Sequence, residues 1–201
     1  MQKDNGLKQY IVIVLSVIIV GMLGWFIISY NTLVTKEEQI KTAWSQVESN
    51  LQRKVDLLPN LVKVVKHYAT HEKEIFESIT KLRSNALKVM QNTKGNVDTK
   101  QIKALEQVEQ KLNSSVLKLF AVAENYPQLR SSEQFLQLQS QIEGSENRIN
   151  ITRMQFNDAV GDFNRYMRTI PANIVASVAG FQQKAYFKAK KKAHKELKLE
   201  I

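Results

Sequence analysis

Cysteine is absent from the chain, and glycine (7 residues) and proline (3 residues) are scarce. The absence of cysteine excludes disulfide bonds, thiolate chemistry and cysteine-based metal sites, but it leaves the cellular compartment open. The shortage of glycine and proline excludes a fold rich in tight turns and favours long, uninterrupted helices. Acidic residues are outnumbered by basic ones, 19 to 29, which gives a formal net charge of +10.

One stretch has no charged residue at all, residues 10–30, YIVIVLSVIIVGMLGWFIISY. About 20 helical residues of this kind cross the roughly 30 Å hydrocarbon core of a bilayer. Tyr10 lies at one end and Trp25 and Tyr30 lie toward the other, where aromatic rings favour the membrane interface. The stretch therefore predicts a transmembrane helix, preceded by a short flank, residues 1–9.

A cleavable signal peptide is the alternative, but such peptides have a shorter apolar region of about 7–15 residues and a small-x-small cleavage site. This run is longer and ends in WFIISYNTL, which favours an uncleaved anchor in a bacterial cell membrane. Basic residues near the span are balanced, with Lys3 and Lys8 before it and Lys36 and Lys41 after it. The free amino end and the lack of a basic stop-transfer cluster favour an extracytoplasmic position for the rest of the chain.

The following residues, 31–181, repeat apolar side chains at alternating spacings of 3 and 4, which is typical of amphipathic and coiled-coil helices. Helices are predicted at about 32–57, 60–92, 99–126 and 132–170, with a short one at 173–181. The first follows Tyr30 so closely that it is expected to continue the transmembrane helix. Pro59 is expected to end or kink it. The predicted fold is all-α, an N-terminal transmembrane helix followed by an antiparallel up-and-down bundle of about four long helices.

Three blocks of the sequence together resemble the LemA family of bacterial membrane proteins. They are AWSQVESNLQRKVDLLPNLVKVVKHYATHEKEIFESIT (residues 43–80), AENYPQLRSSEQFLQLQSQIEGSENRINITRMQFNDAV (residues 121–160) and FNRYMRTIPANIVASVAGF (residues 163–181). The resemblance implies a single-pass membrane protein with a helical bundle and no established molecular function. It also implies an N-terminus outside the cell, opposite to the orientation that the free amino end and the lack of a basic stop-transfer cluster favour. Family members commonly end in an acidic, proline-containing tail, whereas this chain ends in KAKKKAHKELKLEI.

Two histidines, His67 and His71, are four residues apart in the second predicted helix. This is the spacing of the two zinc ligands in an HExxH helix, but here Tyr68 rather than glutamate follows the first histidine. A di-iron bundle would need further Glu-x-x-His pairs. Solvated or partner-facing histidines are favoured over a metal site, and no cofactor is expected.

Two polar clusters accompany the helix pattern and are candidates for structural or interaction roles. They are Arg53, Asp56, Pro59 and Asn60 around the proline, and Glu143, Glu146, Asn147 and Arg148 on one turn of the fourth helix. A structural network at a helix break is favoured over a docking site, because freed backbone groups need partners. The pair Glu143 and Glu146 has the spacing for acid–base chemistry, but no nucleophile or phosphate-binding loop accompanies it. An enzyme is therefore not expected.

The C-terminal segment, residues 182–201, is rich in lysine and includes Lys190, Lys191 and Lys192. A solvated end is favoured, with adsorption to an anionic lipid surface next. Nucleic acid is disfavoured because it would need a cytoplasmic domain and the segment has no arginine. The sequence thus predicts a membrane-tethered scaffold or protein-interaction module, whose partners are the lipid bilayer and another protein. The alternatives are an envelope sensor that acts through the transmembrane helix and, more remotely, a metal-dependent enzyme.

Overall fold

The computed structural model describes residues 3–93 and 97–188, with side chains from Lys8 onward. Within these ranges all regular elements are helices, which confirms the predicted all-α class. They are α1 (Lys3–Tyr68), α2 (Lys73–Thr93), α3 (Thr99–Glu124), α4 (Pro127–Arg130), α5 (Glu133–Met167) and α6 (Ala172–Val178). The chain divides into two compact units. One holds the residues up to Gln39 with Gly161–Gln183, and the other holds Ile40–Val160 with the chain from Lys184.

In the larger unit, α1 runs antiparallel to α2 and to α5, as their contacts show. Trp44 and Lys54 of α1 contact Phe156 and Glu146 of α5, so the residue numbers rise along one helix as they fall along the other. Residues 48 and 56 of α1 are likewise joined to residues 93 and 83 of α2. The core between these helices is apolar and closely packed. Its fully buried members include Leu51, Val55, Leu58, Leu61, Val65, Leu112, Leu119 and Phe156.

Helix α1 continues through Pro59 and ends at Tyr68, which differs from the predicted break at the proline. A proline inside a helix costs about 3 kcal/mol, because it removes a backbone donor and crowds the preceding turn. Leu58 and Leu61 on either side of it are fully buried, and burying two such side chains contributes roughly 3–6 kcal/mol. The apolar stripe of the core therefore outweighs the local cost of the proline.

The helix break lies instead at residues 69–72, inside the helix predicted at 60–92. Ala69 is buried and its N–H still donates to the carbonyl of Val65. Thr70 and His71 are exposed residues with low helix propensity, and the next helix begins when the N–H of Phe76 donates to the carbonyl of Glu72. No apolar side chain from residues 70–72 holds this turn in the core.

Helix α3 begins with a capping box. The carboxylate of Asp98 accepts from the N–H of Gln101 at 2.8 Å, and the side chain of Gln101 accepts from the N–H of Asp98 at 3.0 Å. This reciprocal pair satisfies two of the amide donors that a helix start leaves without partners. The cap fixes where α3 starts, and therefore which of its faces carries Asn113 and Glu109.

Candidate functional site

The most distinctive surface of the molecule is the N-terminal part of α1. All residues from 10 to 24 are exposed, although the helix is long and apolar enough there to cross a membrane. Monomeric soluble proteins rarely expose so large a continuous apolar surface. The exposed side chains include Tyr10, Ile11, Val12, Ile13, Val14, Leu15, Val17, Ile18, Ile19, Val20, Met22 and Leu23.

Packing within the smaller unit begins near the end of this apolar run. Trp25 and Phe26 are half-buried, and Ser29 and Leu33 are buried. The ring of Tyr30 lies 6.0 Å from the ring of Phe181, centroid to centroid. Phe181 therefore covers α1 where the apolar run ends.

A lysine is buried in the centre of the larger unit, between three helices. Lys54 of α1 is only 2% exposed, and its ammonium donates to the carbonyl oxygen of the Asn113 side chain and to the carboxylate of Glu146. The amide of Asn113 in turn donates to the second carboxylate oxygen of Glu146 at 3.2 Å. A buried ammonium is tolerated only when it is paired and hydrogen-bonded. This triad joins α1, α3 and α5 and fixes their register.

A second buried ion pair lies further along α5. The guanidinium of Arg153 donates to Glu109 at 2.8 Å and to Glu106 at 3.4 Å, both on α3. The same guanidinium donates to the backbone carbonyl of Lys188 at 3.1 Å and lies 4.6 Å from the centre of the Phe187 ring. Arginine suits this position because its planar fork can serve several acceptors while its face packs on an aromatic ring.

The chain around Phe187 is held against the helices by its backbone as well as its ring. The N–H of Phe187 donates to Asn157 at 2.9 Å, and the amide of Asn157 donates back to the carbonyl of Phe187 at 3.2 Å. The N–H of Lys188 donates to Glu106 at 3.1 Å. The ring is buried, stacked on Trp44 at 5.8 Å and edge-on to Phe156 at 5.2 Å. This segment is therefore part of the packed unit.

The match to a known family covers the two buried ion pairs and the segment around Phe187. The family model described as the LemA family matches residues 43–200, which include Lys54, Asn113, Glu146 and Arg153. The chain belongs to the LemA family.

Curated relatives of this LemA-family chain are distant but align over most of its length. Magnetosome protein MamQ 2 of Paramagnetospirillum magneticum is 25% identical over 188 residues, 86% of this chain and 69% of that protein. Magnetosome protein MamQ of Magnetospirillum gryphiswaldense is 23% identical over 188 residues, with the same coverage of each chain. Protein LemA of Metamycoplasma hominis is 23% identical over 186 residues, 92% of this chain and 81% of that protein. The similarity therefore extends across the helical domain.

The first predicted polar cluster lies on the surface of the larger unit. Arg53, Asp56, Pro59 and Asn60 are all exposed. Asp56 accepts from the amide of Gln52 at 3.0 Å and forms an ion pair with Arg83 of α2 at 3.6 Å. The residue that does enter the core here is Lys54, which the sequence reasoning did not single out. Lys54 has the 3 and 4 helical spacing to Leu51, Leu58 and Leu61 of the buried stripe, and this spacing was the signal that could have placed it in the core.

The second predicted cluster is divided between surface and core. Glu143, Asn147 and Arg148 are exposed, whereas Glu146 is half-buried and pairs with Lys54. Glu143 accepts from Gln139 one turn earlier at 3.0 Å. The predicted carboxylate pair therefore faces two environments, and only Glu146 belongs to the buried triad.

The two histidine candidates do not share a helix. Exposed His67 lies in the last turn of α1, where its ring is edge-on to Tyr68, and exposed His71 lies in the turn before α2. The predicted i, i+4 placement on one helical face is therefore wrong, because the break at residues 69–72 separates them. Across residues 8–93 and 97–188, no group of three or more histidine, aspartate and glutamate side chains is placed to hold a metal ion.

The predicted C-terminal tail, residues 182–201, is described by the structure only in its first part. Lys190, Lys191 and Lys192 lie outside the described residues. Up to Lys188 the prediction of a solvated end differs from the structure, since Phe187 is buried among Trp44, Phe156 and Arg153. This segment has no helical periodicity, so the aromatic pair Tyr186-Phe187 was the signal that could have predicted its packing on the helices.

An open groove of about 900 Å³ lies between the end of α1 and the start of α5. Its wall on α1 carries Asn60, Lys63 and His67, and its wall on α5 carries Glu133 and Gln137. The groove is open and its lining is mixed, with Lys63 and Glu133 of opposite charge and with apolar Val64 and Leu138, which suits a protein surface better than a small apolar ligand.

Proposed function

We propose that this LemA-family chain is a single-pass protein of the bacterial cell membrane that holds a non-enzymatic helical interaction module at the bilayer, on its outer side. The observation that carries the proposal is the exposed apolar surface of α1 from residue 10 to residue 24. At 1.5 Å per residue, the uncharged run 10–30 is about 31 Å long as a helix, the thickness of a hydrocarbon core.

The energetics of this run favour insertion into a bilayer. Leucine, isoleucine, phenylalanine and valine each contribute roughly −0.3 to −0.6 kcal/mol at the centre of a membrane helix. The run contains many such residues and no charged one, so no charge offsets the favourable insertion free energy of these apolar residues.

Anchoring gives such a module a simple mechanism. A tether raises the local concentration of the bundle toward any partner at the same membrane, which strengthens binding without new contacts. The groove between Asn60, His67 and Gln137 offers a surface for a protein partner. The partner would be recognised by hydrogen bonds and charge together with apolar contact to Val64 and Leu138.

The buried polar groups support a structural rather than a catalytic role. Lys54 and Arg153 are buried and bonded to side chains of neighbouring helices. A catalytic group must come within hydrogen-bond reach of a substrate. These groups instead join helices, and breaking such pairs changes stability.

A sensor that acts through its transmembrane helix is the second candidate. It is favoured by the continuity of α1, which is one helix from Lys3 to Tyr68 and so belongs both to the apolar run and to the helical domain. A helix that carries no break between the two can pass on a rotation or a shift.

The anchor is tested by alkaline carbonate extraction of membranes from cells that express the full chain. The wild type is expected to remain in the membrane pellet. The variant Val17→Lys/Val20→Lys places two lysines near the centre of the run, each costing about 2.5–3.5 kcal/mol of insertion, and is expected in the soluble fraction. The matched control is Leu117→Lys/Ile151→Lys, which changes two exposed apolar residues of the helical domain and is expected to stay in the pellet. Extraction of the wild type, or equal retention of both variants, would contradict the proposal.

The metal-enzyme alternative is tested by elemental analysis of the purified full chain. The wild type and the His67→Ala/His71→Ala variant are expected to carry the same metal content, because the two imidazoles lie on separate elements. A stoichiometric metal that is lost in the variant would contradict a non-enzymatic module.

A further inference from the structure

The short helix α6 presents an unusual distribution of side chains. Its buried positions are held by small residues, Ala172 and Ala176, together with Val175. Its large apolar residues are exposed: Ile174 is 58% exposed and Val178 is 72% exposed, one turn apart, and Ile170 just before the helix is 84% exposed. A helix that only packed on its own unit would place its isoleucine inward and its alanine outward.

The alanines let α6 approach its own unit closely, and its C-terminal turn fixes where the chain goes next. Gly180 has a φ of 75°, the left-handed conformation that glycine adopts without strain. The N–H of Phe181 donates to the carbonyl of Ala176 at 3.0 Å and the N–H of Gly180 donates to that of Ser177 at 3.3 Å. This is the Schellman arrangement of a helix end.

The turn places Phe181 on the end of the apolar run of α1. Its ring lies 6.0 Å from Tyr30, the last residue of that run, and 6.1 Å from Phe163 of α5. In the same part of α1, Ser29 is buried and Trp25 and Phe26 are half-buried. The C-terminal end of α6 therefore lies beside the last turns of the apolar run.

This position corresponds to the boundary between hydrocarbon and headgroups in a bilayer that contains the run. With the run 10–30 across the hydrocarbon core, residues 25 to 30 form about the last 7.5 Å of it along the axis of α1, next to the headgroup layer. An amphipathic helix at a membrane surface places its apolar face about 5–10 Å into this boundary.

We infer that Ile170, Ile174 and Val178 form a second membrane contact, in which α6 rests its apolar edge in the interfacial layer of the bilayer that α1 crosses. The inference rests on the proposed function, because it needs the run 10–30 to be inserted. Two basic side chains belong to the same unit: Arg168, two residues before Ile170, is exposed, and Lys36 lies 5.9 Å from the centre of the Tyr166 ring. Such side chains meet lipid phosphates at the membrane surface.

The membrane is a better occupant for this edge than a second copy of the chain. A stable protein interface buries about 1,200–2,000 Å² in total, and three side chains, two on a helix of seven residues and one just before it, offer a small part of that. A bilayer needs no complementary shape, and Val178 lies three residues before Phe181, which packs on Tyr30 at the end of the run that α1 offers to lipid.

The test uses spin labels on single cysteines in the full chain, reconstituted in nanodiscs of phosphatidylethanolamine and phosphatidylglycerol. The chain has no cysteine of its own, so each of Val20→Cys, Ile174→Cys, Val178→Cys and Leu117→Cys carries one label. Collision with oxygen, which concentrates in lipid, is compared with collision with a water-soluble nickel complex. Val20 reports on the anchor and Leu117, exposed in the helical domain, is the aqueous control.

The expected result is that oxygen collisions exceed nickel collisions several-fold at Ile174 and Val178, at a shallower depth than at Val20, with the reverse order at Leu117. Preferential nickel collision at Ile174 and Val178, with Val20 in lipid, would overturn this inference alone. Protection from both reagents, or dipolar coupling between labels, would show a protein cover and would also overturn it. A Val20 label that collides mainly with nickel would show that the proposed anchoring itself has failed.

Discussion

Lys54, Asn113 and Glu146 show how single residues set the register of the bundle. The ammonium of Lys54 is 2% exposed and has its acceptors on two other helices. Removal of one partner from a buried pair leaves the other charge uncompensated, whereas replacement of both by apolar groups is often tolerated.

We expect Lys54→Met to lower the free energy of unfolding by about 3 kcal/mol and Lys54→Met/Glu146→Leu to recover much of that loss. The measurement is urea unfolding of the full chain in detergent, followed by circular dichroism. The exposed pair Lys73 and Glu77 supplies the control, since Lys73→Met should change stability by no more than about 0.5 kcal/mol. A double variant that is less stable than Lys54→Met would contradict the role assigned to the pair.

Phe187 offers a second test at the scale of one side chain. Its ring is stacked on Trp44 at 5.8 Å, so its removal is expected to admit water to the indole. In a Trp25→Phe background, Phe187→Ala should shift the emission of Trp44 to longer wavelength, and the neighbouring change Tyr186→Ala, at an exposed position, should leave it unchanged. Equal spectra for the two variants would mean that this segment does not cover Trp44.

The sequence predicted the apolar positions of the core well, but of the residues in the two internal ion-pair networks it singled out only Glu146. The stripes that predicted the helices contain Leu51, Leu112 and Phe156, which are all buried. Lys54 and Arg153 are buried charges whose partners lie far away in sequence. Local spacing cannot show such pairs, because only the packing of three helices brings them together.

At the scale of an element, helix α1 shows that burial of apolar side chains can outweigh a local conformational preference. The prediction relied on the local cost of Pro59, whereas Leu58 and Leu61 are both fully buried and carry the helix through it. The actual break at residues 69–72 has no proline or glycine. The break was missed because the helix predicted at 60–92 includes Tyr68 and Glu72 as positions of its apolar stripe, although neither residue is part of the buried core.

Because α1 continues through Pro59, the structure predicts the sign of the change in stability on substitution of this proline. Pro59 is exposed and lies inside the helix, so Pro59→Ala restores a backbone donor and relieves crowding. We expect a gain in unfolding free energy of about 1–2 kcal/mol, less than the full helix-interior penalty because the unfolded chain also gains freedom. Loss of stability in the same urea experiment would indicate that the proline begins a helix instead of lying within one.

Substitution by alanine should change the stability in opposite directions at two glycines. At Gly180 the φ of 75° penalises any β-carbon, so Gly180→Ala should destabilise by about 1–2 kcal/mol. At Gly144 a β-carbon would meet only Arg148 Nη2 at 3.9 Å, an ordinary contact, so Gly144→Ala should stabilise by about 0.5–1 kcal/mol. Thermal unfolding of the two variants compares them directly, and a higher unfolding temperature for Gly180→Ala than for the wild type would contradict the helix end described for α6.

At the scale of the whole molecule, the family and the all-α class followed from the sequence, and both are confirmed. Composition predicted the all-α class, because few glycines and prolines leave long periodic segments. The family followed from matching blocks that the comparison extends to residues 43–200. The packing of the chain near Phe187 and of α6 did not follow, since both depend on contacts between distant parts of the chain.

The central claim is that α1 crosses a bilayer once, and the most direct measurement is labelling of single cysteines in intact and permeabilised spheroplasts with a membrane-impermeant maleimide. We expect Leu117→Cys to react in intact spheroplasts, Lys8→Cys to react only after permeabilisation, and Val20→Cys to resist labelling in both. Reaction of Lys8→Cys from outside, with Leu117→Cys protected, would reverse the proposed side. Labelling of Lys8→Cys and Leu117→Cys from the same side, or free labelling of Val20→Cys, would contradict a single transmembrane pass.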